Sequence, residues 1–175
     1  MAQKDALREL QGRLAERLQA ARTLERPAGW LAVECEGHGF LLPLAEAGEI
    51  FQAGAIMRVP HARHWFLGVA NLRGSLTGVI DLAGFLGLRG ARAQRDPQAR
   101  LIALNPGLEL NAALLVDRLA GLRNAEQLTD AQPVAGPAPE YAGPRWRDAT
   151  GRHWQELRLA ALAFDERFTN IVAGT

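Results

Sequence analysis

The stretch Phe66–Leu82, FLGVANLRGSLTGVIDL, places a hydroxyl, a carboxylate and a guanidinium within two short extended runs. Ser75 is the only serine of the chain, and with Asp81 and a histidine it could form a hydrolytic triad. The G-x-S-x-G turn that presents the serine in many hydrolases does not surround Ser75. A small β-barrel hydrolase that uses Ser75, Asp81 and a histidine is therefore one alternative, which only the spatial arrangement of these groups can test.

The remaining motifs predict no cofactor site. His61 and His64 are three residues apart, but no further ligand accompanies them, whereas zinc sites use three or four. The glycines from Gly68 to Gly90 match neither the phosphate loop GxxxxGK[ST] nor the dinucleotide motif GxGxxG. We therefore expect a protein that needs no metal, nucleotide or other cofactor.

Recognition of a protein partner is the second kind of chemistry that this stretch could perform. Successive side chains of a strand point to opposite faces, and Gly74 separates two such runs. One face is then core, and the other combines polar groups with apolar surface, as protein interfaces do. The predicted outward face consists of Val69, Asn71, Arg73, Val79 and Asp81.

Arg73 has two interpretations at this point. An exposed arginine in such a patch can anchor a partner protein. The alternative is an internal ion pair, with Asp81 or Glu49 as the carboxylate. The first interpretation predicts that removal of Arg73 lowers partner affinity, and the second that it lowers stability.

Short strands must position these groups, because most apolar residues fall in short runs bounded by turn residues. Polar residues and prolines predict exposed loops at Arg89–Arg100 and Asp130–Pro144. The predicted strands are Trp30–Cys35, Gly39–Leu44, Glu49–Phe51, the two runs of Phe66–Leu82, Leu101–Leu104, Leu110–Val116, Arg145–Asp148 and His153–Leu157.

Helix is expected mainly at the two ends of the chain. Leucines at 7, 10, 14 and 18 recur at helical spacing, which predicts an amphipathic helix within residues 1–26. Pro27 is expected to end it. The leucine stripe must be buried, either on the rest of the chain or on a partner. A second helix is predicted over Leu159–Ile171.

Composition and charge narrow the function classes. The 175 residues are 48% hydrophobic and carry a formal net charge of +1, which is typical of a globular domain and indicates no nucleic-acid partner. No apolar run approaches the roughly 20 residues that span a bilayer, so no membrane insertion is expected. The single Cys35 cannot form an internal disulfide. We expect a cytoplasmic protein.

Three segments resemble a known family. The segment WFLGVANLRGSLTGVIDLAGFLGL is similar to the signature of CheW-like chemotaxis coupling domains, in which a G-hydrophobic-hydrophobic-N-hydrophobic-R-G run leads into a V-I-D-L strand. EIFQAGAIMRVPHA, with Glu49 and Pro60, and NAALLVDRLAGLRN also resemble family segments. Gly78 departs from the proline that usually precedes V-I-D. The leading segment and the closing ALAFDERFTNI most resemble the CheW-like members of type IV pilus chemosensory systems.

The resemblance implies a mainly β fold of two small five-stranded β-barrels in residues 27–175, preceded by the helix in 1–26 and closed by a C-terminal helix. It further implies a non-enzymatic adaptor between the regulatory domain of a CheA-type histidine kinase and the cytoplasmic tip of a methyl-accepting receptor, and contact with other CheW-like domains. Arg73 and Asn71 match family positions nearest the partner-binding groove, and Asp81 and Glu49 match acidic positions. A module that binds the kinase alone is a further alternative.

Overall fold

The structure is a computed structural model that describes residues 29–90 and 96–174. The helix predicted within residues 1–26 lies outside the described residues. Strands dominate the described part of the chain, so the prediction of a mainly β protein is confirmed. The strands are β1 (Gly29–Cys35), β2 (His38–Pro43), β3 (Ala47–Gln52), β4 (Phe66–Leu72), β5 (Ser75–Asp81), β6 (Arg100–Leu104), β7 (Ala112–Val116), β8 (Arg118–Asn124), β9 (Leu128–Gln132), β10 (Ala142–Asp148) and β11 (His153–Leu157).

The strands form two sheets. The five-stranded sheet has the order β3-β6-β7-β5-β4, and the six-stranded sheet has the order β8-β1-β2-β11-β10-β9. The six-stranded sheet therefore has one strand more than the resemblance implied. The sequence predicted a loop from Asp130, yet β9 extends from Leu128 to Gln132 and pairs with β10. The prolines and glycines of that segment begin only after β9 ends.

A backbone bridge between Met57 and Val69 closes the five-stranded sheet into a barrel. The Met57 amide donates to the Val69 carbonyl, and the Val69 amide donates to the Met57 carbonyl, each at 2.8 Å. Gly68 makes this approach possible, since its φ is +130° and a Cβ built there would lie 2.0 Å from the Met57 carbonyl oxygen. The register of β4 against β5 shifts at this point, as in a β-bulge.

Apolar side chains form three buried clusters. The barrel core lies inside the five-stranded sheet and the shared core lies between the two sheets, while a third cluster lies on the other face of the six-stranded sheet. The barrel core includes Ala70, Val79, Leu101, Ala113 and Leu115; the shared core includes Leu31, Val33, Leu42, Trp65, Ile80, Leu114 and Phe168; the third cluster includes Trp30, Ala32, Leu41, Leu128 and Trp154.

Three short α-helices accompany the sheets in the described residues, besides the 3-10 turns Pro106–Leu108 and Ala125–Gln127. α1 (Leu82–Phe85) follows β5 directly, and all four of its residues are buried. The single helix predicted over Leu159–Ile171 is two helices, α2 (Leu159–Phe164) and α3 (Glu166–Thr169). Asp165 separates them because its backbone is extended and its carboxylate accepts from the amides of Arg167 and Phe168, which caps α3. Among the residues that the structure describes, no helix has the length and apolarity to cross a membrane.

Candidate protein-interaction site

The β4–β5 hairpin presents Arg73 at its tip. Leu72 pairs with Ser75, so Arg73 and Gly74 form a two-residue turn. Their φ values of +51° and +83° are left-handed, as in the type I′ turn that matches the twist of a hairpin. Asn71 closes the turn, because its Oδ1 accepts from the Gly74 amide at 2.7 Å. Asn71 therefore supports the turn that displays Arg73.

Arg73 pairs with Glu49 and not with Asp81. Its Nη1 donates to Glu49 Oε1 at 2.7 Å, and the two side chains are 75% and 53% exposed. Of the two internal partners predicted, the structure thus places Glu49 beside Arg73. A solvent-exposed pair of this kind contributes only about 0–1 kcal/mol to stability. The pair orients two charges at the surface without holding the fold together.

The predicted outward face was wrong for Val79 and Asp81. Val79 is 0% exposed and belongs to the barrel core, and Asp81 is 7% exposed. The prediction assumed that one face of the hairpin meets water. Both faces of β5 are covered instead in the second half of the strand, since Val79 lies in the barrel core and Ile80 in the shared core. Val69 is half-buried beside the Met57 bridge.

The exposed part of the candidate site is the hairpin surface, which we define as Glu49, Asn71, Arg73 and Leu76. Leu76 lies directly opposite Asn71 across the two strands and is 64% exposed. This leucine supplies the apolar component that the sequence had assigned to Val79. A large exposed apolar side chain beside an oriented arginine is the composition expected of a protein-binding surface.

Asp81 belongs to a buried ionic cluster that the sequence did not predict. Arg89 is at its centre, with a side chain that is only 5% exposed. Its Nε donates to Glu36 Oε1 at 2.6 Å, and its Nη1 lies 3.5 Å from Asp81 Oδ1. Its Nη2 pairs with Asp117 Oδ1. Arg89 had been expected in an exposed loop, and this was wrong, because three carboxylates compensate the buried guanidinium.

This ionic cluster joins the two sheets. Glu36 lies in the turn after β1 of the six-stranded sheet, whereas Asp81 ends β5 of the five-stranded sheet. Asp117 follows β7 and also accepts from the Glu36 amide, at 2.7 Å to Oδ2. Because β5 and β7 are parallel neighbours, Asp81 and Asp117 emerge at the same end of the sheet. The aspartates at the ends of these two strands, Asp81 and Asp117, are the sequence feature from which the cluster could have been predicted.

Burial sets the protonation behaviour of the cluster. Desolvation raises the pKa of the Asp81 carboxyl, and the charge of Arg89 opposes that rise. Desolvation disfavours the charged form of Arg89, but hydrogen bonds to Asp117 and Glu36 outweigh it and raise the pKa of the guanidinium. The cluster is thus an arginine that stays charged beside a carboxylate that protonates more readily than usual.

The hydrolytic triad does not assemble among the described residues. Ser75 begins β5 and Asp81 ends it, and six residues of strand span about 20 Å. Ser75 Oγ accepts from Asn111 Nδ2 at 3.2 Å, and Asp81 faces Arg89. No histidine of the described chain hydrogen-bonds to either residue; His38, for example, contacts the Glu36 carbonyl. Burial raises the pKa of Asp81 against the opposing charge of Arg89, so the shift needs no catalytic role.

Metal binding finds no support in the described residues either. Across 29–90 and 96–174, no group of three or more histidine, cysteine or acidic side chains is arranged to hold a metal ion. His61 and His64 are both exposed in the segment between Met57 and β4.

Cys35 is expected to be unreactive in the folded protein. Its side chain is 0% exposed in the shared core, and burial raises the pKa of the thiol to about 12. Since only the thiolate reacts appreciably, alkylation at pH 8 should be negligible until the chain unfolds. Mass spectrometry after iodoacetamide treatment, with and without urea, measures this. Rapid alkylation in buffer alone would contradict the burial of Cys35.

Comparisons with known proteins agree with the fold and the motifs. The family model described as the CheW-like domain matches residues 29–166. Protein PilI of Pseudomonas aeruginosa is 30% identical over 112 residues, which are 64% of this chain and 61% of that protein. A probable chemotaxis protein CheW of Rhizobium etli is 35% identical over 115 residues, which are 65% of this chain and 63% of that protein. The match thus spans less than two thirds of both curated relatives.

A solved structure is similar in fold. The crystal structure of the scaffolding protein TtCheW from Thermoanaerobacter tengcongensis superposes with a TM-score of 0.68 and 17% sequence identity. The alignment covers 85% of this chain and 100% of that chain. At this identity the likeness concerns the fold alone.

Proposed function

The chain belongs to the CheW-like domain family, and from this premise we propose that it is a non-enzymatic adaptor in a chemotaxis or type IV pilus chemosensory system. In this proposal it couples a methyl-accepting chemoreceptor to a CheA-type histidine kinase. It acts in the cytoplasm, recruited to membrane-associated receptor arrays, where it also contacts other CheW-like domains. Each contact of the adaptor in such an array can be weak, because binding several partners at once raises the effective concentration of each partner.

The observation that carries this proposal is the conformation of Arg73. A non-glycine residue at a φ of +51° is strained, by about 1–2 kcal/mol relative to the usual backbone regions. The ion pair with Glu49 is too exposed to repay more than part of this cost. The fold would be served better by asparagine or glycine at this turn position. A partner that binds the guanidinium accounts for an arginine at a position where its ion pair offsets only part of the backbone strain.

The hairpin surface is proposed as the partner-binding site. Arg73 supplies five oriented donors, Leu76 supplies exposed apolar area, and Glu49 fixes the direction of the guanidinium. Asn71 acts indirectly by holding the turn. Val69 contributes at the margin, while Val79 and Asp81 support the strand from within and touch no partner.

The test replaces Arg73 by asparagine and, in a second variant, by alanine. We expect each change to weaken binding to the kinase regulatory domain or to the receptor tip by at least about 1 kcal/mol, roughly fivefold in Kd. Arg73→Asn should leave the melting temperature unchanged or higher, since asparagine suits the turn. Binding to the two partners is measured separately by calorimetry, and unfolding is measured on the same samples.

The matched control is Arg145→Ala, which removes an exposed arginine from the six-stranded sheet and should leave both affinities unchanged. Normal affinity of both Arg73 variants for both partners would reject the hairpin surface as the binding site. Binding of the unaltered protein to the kinase domain but not to the receptor tip would favour the module that binds the kinase alone.

A further inference from the structure

Phe164 is the most exposed of the large apolar side chains in the described residues, at 85%. It is the last residue of α2, in which Leu159, Leu162 and Ala163 are buried. Phe164 therefore lies outside the core that the other apolar residues of its helix complete. An aromatic side chain that folding leaves in water is typical of an anchor for another protein.

Acidic groups surround Phe164. Glu140, Asp165 and Glu166 line the same surface depression as Phe164, and Arg167 is the basic residue there. Asp165 is engaged within the chain, because its carboxylate caps α3. Glu140 and Glu166 are exposed, and the ion pairs of the described residues involve neither of them. We call Phe164, Glu140 and Glu166 the acidic patch. Its complement is an apolar cavity with positive charge at the rim.

A cavity of that composition lies between Met57 and β4. Its volume is about 200 Å³, and a cavity of roughly 150 Å³ already admits a benzene ring. Three basic side chains line it, those of Arg58, Arg63 and His64, together with apolar side chains that include Phe66. Within the part of the chain that the structure describes, neither Arg58 nor Arg63 belongs to an ion pair. We call this the basic cavity. It can hold one phenylalanine ring and face carboxylates at its rim.

The acidic patch and the basic cavity are neighbours on the surface of one chain. The Arg63 amide donates to the Ile171 carbonyl, and Arg63 Nε donates to the Asn170 carbonyl, each at 2.8 Å. Asn170 follows Phe164 by six residues, which span at most about 20 Å. Phe164 does not occupy the cavity of its own chain, since it is 85% exposed. A surface that carries both halves of a contact is self-complementary, as the interfaces of two-fold dimers are.

We propose that two copies of this chain associate through these surfaces, with Phe164 of each copy in the basic cavity of the other. Glu140 and Glu166 of one copy then face Arg58 and Arg63 of the other. The ring supplies the apolar anchor, and the charges set its orientation. Because the two copies are related by a two-fold axis, the same contact forms twice.

This contact leaves the hairpin surface free. Phe66, which lines the basic cavity, begins β4, whereas Arg73 follows the end of that strand, about 20 Å away. The inference rests on the proposed function in one respect, since it assigns a surface to the proposed contact with other CheW-like domains. Self-association needs neither the kinase nor the receptor, so a failure here and a failure of kinase or receptor binding are separate results.

The test is sedimentation equilibrium of the full chain at concentrations up to about 1 mM, which measures the dissociation constant of the dimer. We expect Phe164→Ser to raise this constant at least about tenfold, because aromatic anchors carry much of the binding energy. Its melting temperature should not change, since the ring is 85% exposed and contributes little to folding. Arg58→Glu and Glu166→Arg should each weaken association. The double variant Arg58→Glu/Glu166→Arg should restore most of it, because both charges of the pair are then reversed.

Leu122→Ser is the matched control, because Leu122 is also a large apolar residue, 61% exposed, but lies on β8 of the six-stranded sheet. It should leave the dissociation constant of the dimer unchanged. Three results would overturn the proposal: a monomer at every concentration, an association that Phe164→Ser leaves intact, and a double charge reversal that restores nothing. Binding of the acidic patch to an added kinase or receptor domain, without self-association, would also overturn it and assign the patch to that partner.

Discussion

Replacing Arg89 with methionine is expected to lower the free energy of unfolding by about 3–5 kcal/mol, because the change leaves buried carboxylates without their counter-charge. The side chain of Arg89 is 5% exposed, and the side chains of its partners Asp81 and Asp117 are 10% and 15% exposed. Methionine keeps most of the apolar stem, so the loss reports the charge and its hydrogen bonds. Urea unfolding at pH 7 measures it.

The loss should shrink as the pH falls. Burial already raises the folded pKa of Asp81 above its ordinary value of 3.8, and removal of Arg89 raises it further. A carboxyl with a raised folded pKa binds more protons in the folded state, so its unfavourable contribution appears as the pH rises from about 3.8 and fades as the pH falls back. Arg89→Met should therefore be less destabilising at pH 5 than at pH 7.

Arg118→Met is the comparison that isolates burial. Arg118 pairs with Asp96 at 3.4 Å, but its side chain is 57% exposed. An exposed pair contributes about 0–1 kcal/mol, so this variant should unfold almost as the original protein does. Equal effects of the two substitutions would contradict the central position assigned to Arg89.

Gly68→Ala should be the second severe substitution. The φ of +130° at Gly68 belongs to a region that is essentially restricted to glycine, where another residue costs about 1–3 kcal/mol. The new Cβ would lie 2.0 Å from the Met57 carbonyl oxygen. Moving the backbone to relieve that clash costs about a further 1–3 kcal/mol. We expect a total loss of about 2–6 kcal/mol, and faster exchange of the Met57 and Val69 amides.

Gly74→Ala separates strain from the clash. Gly74 also has a positive φ, of +83°, but nothing lies within 4 Å of the Cβ position. This variant should lose only about 1–2 kcal/mol. If Gly68→Ala unfolds no more easily than Gly74→Ala, then the Met57 bridge is not what closes the barrel.

The sequence predicted the β fold and the exposed tip of the hairpin because both depend on local pattern. Short apolar runs between turn residues locate most of the strands. The turn at Arg73 and Gly74 depends on neighbouring residues in the sequence, so a local pattern can indicate it. At Gly78 this chain differs from the family pattern in a hydrogen bond. The Gly78 amide donates to the Asn111 carbonyl at 3.1 Å, and the proline that is usual in the family has no amide hydrogen to donate.

The buried cluster could not be predicted in the same way, since it depends on long-range packing. Arg89 lies 53 residues from Glu36 and 28 from Asp117 along the chain. Its polar neighbours indicated a loop, and only the parallel pairing of β5 with β7 brings the two aspartates to one place. The outward assignment of Val79 failed for the same reason, because alternation identifies two faces but not what covers each of them.

The order of strands also has a consequence for how the chain folds as it is synthesised. The five-stranded sheet consists of β3 to β7 in one continuous stretch, whereas the six-stranded sheet combines β1 and β2 with β8 to β11. The parallel contact of β2 with β11 joins Phe40 to Gln155, so it cannot form until the chain up to β11 has left the ribosome. The barrel can close first and so bring the two halves of the other sheet together, which shortens the effective loop that β11 must close. An early β1–β2 hairpin meanwhile carries an unpaired edge, where premature pairing with other chains is most to be expected.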